Sequence, residues 1–324
     1  MTRAKRRTPL IPAKSPGRAR GGIQNKSAVG PRFRGDERGR DNSPIGIICG
    51  GGAIPPAVAR AVQAQGRKLM LFPLYGFADK ALERFPHRWV HLGAIGRLLR
   101  VMREAGCKDI VMIGNLTRPS PWKVRLDFTT LLALPRFLSY FRGGDNRLLS
   151  GVTEYFEARG FRLVGAHEVA PEILMPEGVV GKHRPRHADE GDIRFGFDLL
   201  RSMGAFDVGQ AAIISGTHAL AVEAAEGTAS MIARVAEMRK SGRVKLPARA
   251  GVLVKAPKPD QDRRFDLPAI GPDTVAQAKA AGLSGIAVEA GSTIVADTAA
   301  LVRAADKAGI FVVGVAAPRK KKRG

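Results

Sequence analysis

The chain is short of aromatic residues, of cysteine and of acid, and it has no long apolar run. Only 6% of its 324 residues are Phe, Trp or Tyr. Binders of single-stranded nucleic acid stack bases on aromatics set among cations. That interleaving is missing, so specific nucleic-acid recognition is not expected. The two cysteines, Cys49 and Cys107, form no Cys/His cluster at zinc spacing. They exclude a disulfide framework and read as reduced thiols of a cytoplasmic protein. No stretch approaches the roughly 20 apolar residues that span a bilayer. The basic N-terminus is followed by no apolar h-region, so a secretory signal is not expected. No serine or cysteine near His167 resembles a nucleophile turn, which leaves Ser-His-Asp and Cys-His chemistry without support. What is present is 44% hydrophobic residues, over a length ample for two domains with cores of their own.

The shortage of acid is uneven. Residues 1–42 hold 12 Lys/Arg against 3 Asp/Glu, a net of +9, and Arg319-Lys-Lys-Lys-Arg323 adds +5, leaving +10 on the remainder of a formal +24. More than half of the excess therefore sits in two terminal arms. Residues 1–43 are rich in Arg, Gly and Pro without apolar periodicity, which predicts a disordered basic extension; 318–324 is a basic tail. Such arms suit nucleic acid or an anionic membrane surface equally well.

Between the arms, apolar runs alternate with helical patterns. Ile45-Gly-Ile-Ile-Cys49, Leu69-Met-Leu-Phe72, Asp109-Ile-Val-Met-Ile113 and Phe161-Arg-Leu-Val164 read as strands. Helices are expected over 56–65 (closed by Gly66), on the Ile95, Leu98, Leu99 and Met102 stripe, around 128–141, and on Leu148, Leu149, Val152, Tyr155 and Phe156. The fold class is thus α/β, with a Rossmann-like parallel sheet in an N-terminal domain at 44–173. A short linker at 174–183 joins it to a second α/β domain at 184–317. There, helices at 189–203, on Met231, Ile232, Val235 and Met238, and at 298–308 alternate with strands at 211–214, 251–254, 286–288 and 311–313.

The most informative stretch is Lys255-Ala-Pro-Lys-Pro-Asp-Gln-Asp-Arg-Arg-Phe-Asp-Leu-Pro-Ala-Ile-Gly271, between a buried strand and a helix beginning at Pro272. Ligands of α/β proteins sit at strand-to-helix loops. This loop sets Lys255, Lys258, Arg263 and Arg264 among Asp260, Gln261, Asp262 and Asp266, on a backbone stiffened by three prolines. Cations beside carboxylates suit a phosphate ester handled with a divalent metal; a solvated, salt-bridged surface loop has the same composition. Gly50-Gly51-Gly52 could let a backbone approach a phosphate or sugar, or simply tighten a β–α corner. It is not GxGxxG, and no acid ends the second strand, so a nicotinamide cofactor is poorly supported. Asn115 and Arg118 follow a buried strand and could read a sugar and clamp a phosphate. Asp145 suits an N-cap. Glu223 and Glu226 could share a metal, or serve a helix start capped by Thr228. Glu289 ends a strand in a similarly ligand-facing place.

Taken in order, Ile48-Cys-Gly-Gly-Gly-Ala-Ile-Pro55, Gly165-Ala-His-Glu-Val169, Asp207-Val-Gly-Gln-Ala211, Ala221-Val-Glu-Ala-Ala-Glu-Gly-Thr228, the 255–271 loop, Gly282-Leu-Ser-Gly-Ile-Ala-Val-Glu-Ala-Gly291 and Gly309-Ile-Phe-Val-Val-Gly314 resemble one family. These are the LpxI-type UDP-2,3-diacylglucosamine pyrophosphatases of lipid A biosynthesis, and the likeness covers about residues 44–316. Ala229 and Asn146 depart from the family pattern. The resemblance implies a two-domain α/β hydrolase that converts UDP-2,3-diacylglucosamine to UMP and 2,3-diacylglucosamine 1-phosphate with Mg²⁺ or another divalent cation. It implies water attack at the sugar-side phosphorus, with the acid matching Asp266 essential. On that reading Asp266, Glu223, Glu226 and Glu289 are candidate metal ligands, with Asp262 a further acid. Lys255, Lys258 and Arg264 neutralise phosphate, while Gly50, Gly51, Gly52, Asn115, Arg118, Thr228 and Gln261 bind substrate. The partner is a nucleotide-sugar lipid, the expected location cytoplasmic or at the cytoplasmic face of the inner membrane, and a homodimer is left open. A nicotinamide-dependent oxidoreductase and a basic nucleic-acid binder are the alternatives.

Overall fold

A computed structural model of the chain describes residues 42–116, 126–132, 145–206, 208–259 and 262–317, with the backbone alone at 145–150 and at 205. The basic extension up to Asp41, the 318–324 tail, Arg118, Asp260, Gln261, the Asp145 side chain and the expected helix beyond residue 132 lie outside these. Two sheets organise the described residues from Asn42 onward.

The first is parallel, in the order β2-β1-β3-β4, from β1 (Ile45–Cys49), β2 (Leu69–Pro73), β3 (Asp109–Ile113) and β4 (Arg162–Leu163). β1 is buried along its whole length, as befits a parallel strand covered on both faces. Helix α1 (Ile54–Ala64) opens on Pro55 and Pro56, where a missing N–H leaves no gap in the helical ladder. Helix α2 (Ile95–Glu104) buries the Leu98, Leu99 and Met102 of its expected stripe, each burial contributing about 1.5–3 kcal/mol. After α3 (Asp145–Glu157), the rings of Tyr155, Phe156 and Phe161 meet edge to face. A single turn, α4 (Ala166–Val169), follows β4.

The second sheet has six strands in the order β5-β12-β10-β8-β6-β7: β5 (Gly178–Val180), β6 (Ala211–Ser215), β7 (His218–Val222), β8 (Val252–Lys255), β10 (Gly285–Glu289) and β12 (Phe311–Val315). It is mixed: β8, β10 and β12 run parallel, β5 is antiparallel to β12, and β6 is antiparallel to both β8 and β7. The 174–183 stretch thus contributes the edge strand β5 as well as a connection. Strand β7, unexpected from the sequence, is the second arm of a hairpin. Its turn residues Gly216 and Thr217 have φ of 61° and 58°, the left-handed pair that a two-residue hairpin needs. Thr217 N–H donates to the buried Asp192 carboxylate at 2.7 Å, which holds the strained residue in place.

Residues alternate between the two faces of this sheet. Ala212, Ile214, Val252, Val254, Ala287 and Val313 pack with Ile193 and Leu200 of α5 (His187–Met203). Ile213, Leu253, Ile286, Val288 and Val312 pack with Met231 and Val235 of α6 (Gly227–Lys240), Val275 of α7 (Pro272–Ala280), and Leu301 and Ala305 of α8 (Thr298–Ala308). A two-stranded parallel pair, β9 (Ala269–Ile270) with β11 (Ile294–Val295), stands apart from both sheets. Ile294 of this pair and Leu267 just before it join the core formed by Ile45, Ile47, Leu71, Val111 and Val164. The 255–271 loop is thereby pinned against the N-terminal sheet.

Candidate active site

The start of α1 and the carboxyl end of β3 on one side and the carboxyl end of β8 on the other border a cleft of about 240 Å³. Its walls include Gly114 and Asn115 from the N-terminal domain, and Gln210, Lys255, Arg263, Arg264 and Asp266 from the C-terminal domain. The 255–271 loop, read from sequence as ligand-bearing, supplies four of these seven residues.

Lys255 ends β8 and is only 5% exposed. Its ammonium donates to Thr228 Oγ1 at 3.1 Å and to the Ala269 carbonyl at 3.2 Å. The Thr228 hydroxyl in turn donates to Glu223 Oε1 at 2.7 Å, and Glu223 Oε2 accepts from Gln210 N–H at 3.0 Å. Glu223 is itself buried, so this chain of bonds lets an acid and a base sit out of water with partners for both. Burial pushes the Lys255 ammonium below its ordinary lysine value, while the charges of Glu223 and Asp266 oppose that shift. Among the described residues two of its three donors are used by the protein. Thr228 therefore links an acid to a base and does not cap α6, whose N-cap is Glu226 without a side-chain bond.

Beside Lys255, Arg264 and Asp262 form a fork: Nε lies 3.0 Å from Oδ1 and Nη2 lies 2.7 Å from Oδ2. Arg264 backbone N–H adds a bond at 3.0 Å. These hydrogen bonds hold the Asp262 carboxyl below the usual carboxylate range. Asp262 is committed to orienting Arg264, a cleft-lining cation that also approaches Glu157 at 3.6 Å. Arg263 lines the cleft and meets Glu289 at 3.5 Å. Asp266 is exposed and lines the same cleft. Lys258 is half-buried and is not among the lining residues.

On the facing wall, Gly51 and Asn115 form a two-way backbone bridge, with N–H to carbonyl distances of 2.9 and 2.8 Å. A Cβ on Gly50 would lie 2.7 Å from the Asn115 carbonyl oxygen, and one on Gly114 would lie 2.8 Å from the Gly50 carbonyl carbon. The close approach that Gly50 permits is thus between two strand ends. It brings Asn115 to the cleft, while Gly50, Gly51 and Gly52 are not lining residues. Cys49, at the end of β1, is no thiolate: burial pushes its thiol up to about 12.

The four carboxylates expected to share a metal do not converge. Glu226 is exposed and pairs with Arg234 at 3.0 Å, Glu289 pairs with Arg263, and Glu223 is held by Thr228 and Gln210. Among the described residues, no three His, Cys, Asp or Glu side chains form a group able to hold a metal ion. This donor set does not fit a resident Mg²⁺; of the four, Asp266 alone lines the cleft.

Two polar or charged side chains of the cleft, Arg263 and Gln210, are not among the site residues expected from the sequence. Arg263 enters the sequence reading only as a charge of the loop. Gln210, within the Asp207–Ala211 block, carries a buried side-chain Oε1 with no hydrogen-bond partner among the described residues. Its signal was a polar residue immediately before an apolar strand, at the edge that borders the cleft.

The family model for the LpxI N-terminal domain matches residues 44–173, and that for the LpxI C-terminal domain matches residues 176–313. A UDP-2,3-diacylglucosamine pyrophosphatase LpxI from Caulobacter vibrioides is 41% identical over 271 residues, which cover 84% of this chain and 97% of that protein. The two-domain α/β architecture, the cleft and these matches lead to one conclusion: the chain belongs to the LpxI family.

Proposed function

We propose that the chain hydrolyses the pyrophosphate bond of UDP-2,3-diacylglucosamine, releasing UMP and 2,3-diacylglucosamine 1-phosphate. The observation that carries this reading is the meeting of Lys255, Arg263 and Arg264 with Asp266 in one cleft. A pyrophosphate diester is anionic, and attack by water adds negative charge to the phosphorus under attack. Preorganised cations in a site partly shielded from water offset that charge. Lys255 is held by two bonds and Arg264 by a fork, so little ordering remains to be done when substrate arrives. Asp266, a carboxylate that lines the cleft, accepts a proton from the attacking water in this reading. The new bond joins water oxygen to the sugar-side phosphorus, the bridging P–O bond breaks, and UMP departs with the bridging oxygen. Gln210 Oε1 and Asn115 are polar groups able to read the nucleotide or the sugar.

A divalent cation stays part of the proposal as an ion that arrives with the pyrophosphate, where Asp266 could meet it. No step is assigned to it. The lipid part of the substrate has apolar surface available: of the eight large hydrophobic side chains that are exposed among the described residues, five (Leu116, Leu126, Phe128, Leu131, Leu132) fall between 116 and 132. Leu116 directly follows the cleft residue Asn115. Among the described residues, no helix is long and apolar enough to cross a membrane. The two basic arms would draw the enzyme to an anionic membrane surface, where a lipid substrate resides.

The test is release of UMP by the purified chain with Mg²⁺. Asp266→Ala is expected to bind substrate and to turn it over about 10²–10⁴-fold more slowly, the usual contribution of a positioned proton acceptor. No UMP from the unmutated chain would sink the function, and undiminished turnover by Asp266→Ala would sink the role of that residue.

A further inference from the structure

The parallel strands β8, β10 and β12 have two ends, and the cleft uses only the carboxyl end. At the opposite end lies a second pocket of about 170 Å³, whose lining includes His183, Arg184, Arg186, Asp189, Arg249 and Gly309. Its frame is rigid. Asp189, only 2% exposed, accepts from Arg186 Nε at 2.9 Å, from Arg186 Nη2 at 3.2 Å, from Arg186 backbone N–H at 2.9 Å and from the Ser284 hydroxyl at 2.7 Å. Arg186 Nη2 also donates to the Arg249 carbonyl at 3.0 Å. The one carboxylate of the pocket is therefore spent on Arg186.

That leaves Arg184 and Arg249, neither of which is in an ion pair among the described residues. The fold accommodates Arg249 at a cost. Its φ is +56°, a left-handed conformation that a non-glycine residue rarely adopts. Its guanidinium lies where a side chain at Gly309 would have to go, a Cβ there being 2.8 Å from both Nη1 and Nη2. Two guanidiniums that line one concavity, one of them on a left-handed backbone, make that concavity complementary to an anion. The first turn of α5, which begins after Arg186, adds its partly positive N–H groups.

From this we infer an anion site for a single phosphoryl group, distinct from the hydrolytic cleft and independent of the function proposed above. Guanidinium forks match phosphate oxygens two at a time. The volume of about 170 Å³ admits a phosphate. The phosphoryl group belongs either to free phosphate or to a phospholipid head group at a membrane surface.

Calorimetric titration of inorganic phosphate into the full chain tests this. Arg184→Gln/Arg249→Gln is expected to bind phosphate at least about tenfold more weakly than the unmutated chain. Arg184→Gln alone, at an exposed position, gives an intermediate loss. A charge-matched control, Arg18→Gln/Arg20→Gln in the N-terminal arm, is expected to leave phosphate binding unchanged. UMP release by the pocket variants stays at the unmutated level, which also shows that they fold. Sedimentation with phosphatidylglycerol vesicles separates the sources. Weaker vesicle binding by the double variant, with phosphate competing, assigns the pocket to a head group; equal vesicle binding with weakened phosphate binding assigns it to free phosphate. Phosphate binding that is absent, or equal in the unmutated chain and the double variant, overturns the site.

Discussion

The ammonium of Lys255 donates to the hydroxyl of Thr228 at 3.1 Å, joining the end of β8 to the first turn of α6. The same hydroxyl donates a hydrogen bond to Glu223 Oε1 at 2.7 Å, so one small side chain satisfies a buried base and a buried acid at once. Without it, each would lose a partner in a place water reaches poorly.

Thr228→Val keeps the shape and removes the hydroxyl. Two buried polar groups left short of a partner predict a loss of about 1–3 kcal/mol in stability, read from the denaturant midpoint. Turnover should fall as Lys255 loses its anchor, while Thr228→Ser retains both properties. Equal midpoint and turnover for Thr228→Val would mean that the linkage contributes nothing.

Burial lowers the Lys255 value on folding, so between that lowered value and the ordinary lysine value of about 10.4 the unfolded chain holds a proton that the folded chain has released. Stability contributed at this position therefore rises with pH through that window. Below it, both states are protonated and the slope vanishes. Lys255→Met should remove this rise, which parallel denaturation series at stepped alkaline pH would detect. A slope of the same size in Lys255→Met would assign the effect to other groups.

Arg264 both lines the cleft and depresses the Asp262 value. The stability Asp262 contributes is present above its unfolded value of about 3.9 and is lost as pH falls through the lower folded value. Arg264→Ala should move acid unfolding to higher pH and return the Asp262 carboxyl resonance in NMR to a normal titration. It should also cost about 10²–10³-fold in turnover, as expected for one donor to a developing oxyanion. Arg264→Lys, a point charge without the fork, should restore only part of either property.

Because no three potential ligands converge among the described residues, Mg²⁺ titrated into the free enzyme is expected to give no calorimetric binding in the micromolar range. Chelation by EDTA should nonetheless stop UMP release, with recovery when the ion is returned together with substrate. Tight binding of Mg²⁺ to the free chain would show that a resident site exists after all.

Much of the architecture is written in the amino-acid order itself. Continuous apolar runs and period-3.6 apolar patterns report local burial, and that is why β1, β3, α2 and α8 stand where Ile45-Gly-Ile-Ile-Cys49, Asp109-Ile-Val-Met-Ile113, Leu98/Leu99/Met102 and 298–308 place them. Proline at Pro272 and the charge of the 255–271 stretch likewise mark a charged loop between a strand and a helix. Strand β7 escaped because its turn, Gly216-Thr217, depends on Asp192 from a distant helix, a contact that leaves no local trace. The same holds for the carboxylates. Glu223 and Glu226 are three positions apart and look alike in sequence, yet one is buried against Thr228 and the other pairs with Arg234 in solvent. Sequence determined which segments could become strands, helices and charged loops, because those choices rest on neighbours along the chain. Which charges face one another, and hence which remain available to a pyrophosphate, was decided only when the ends of two sheets met, because Coulomb and hydrogen-bond partners are chosen across space.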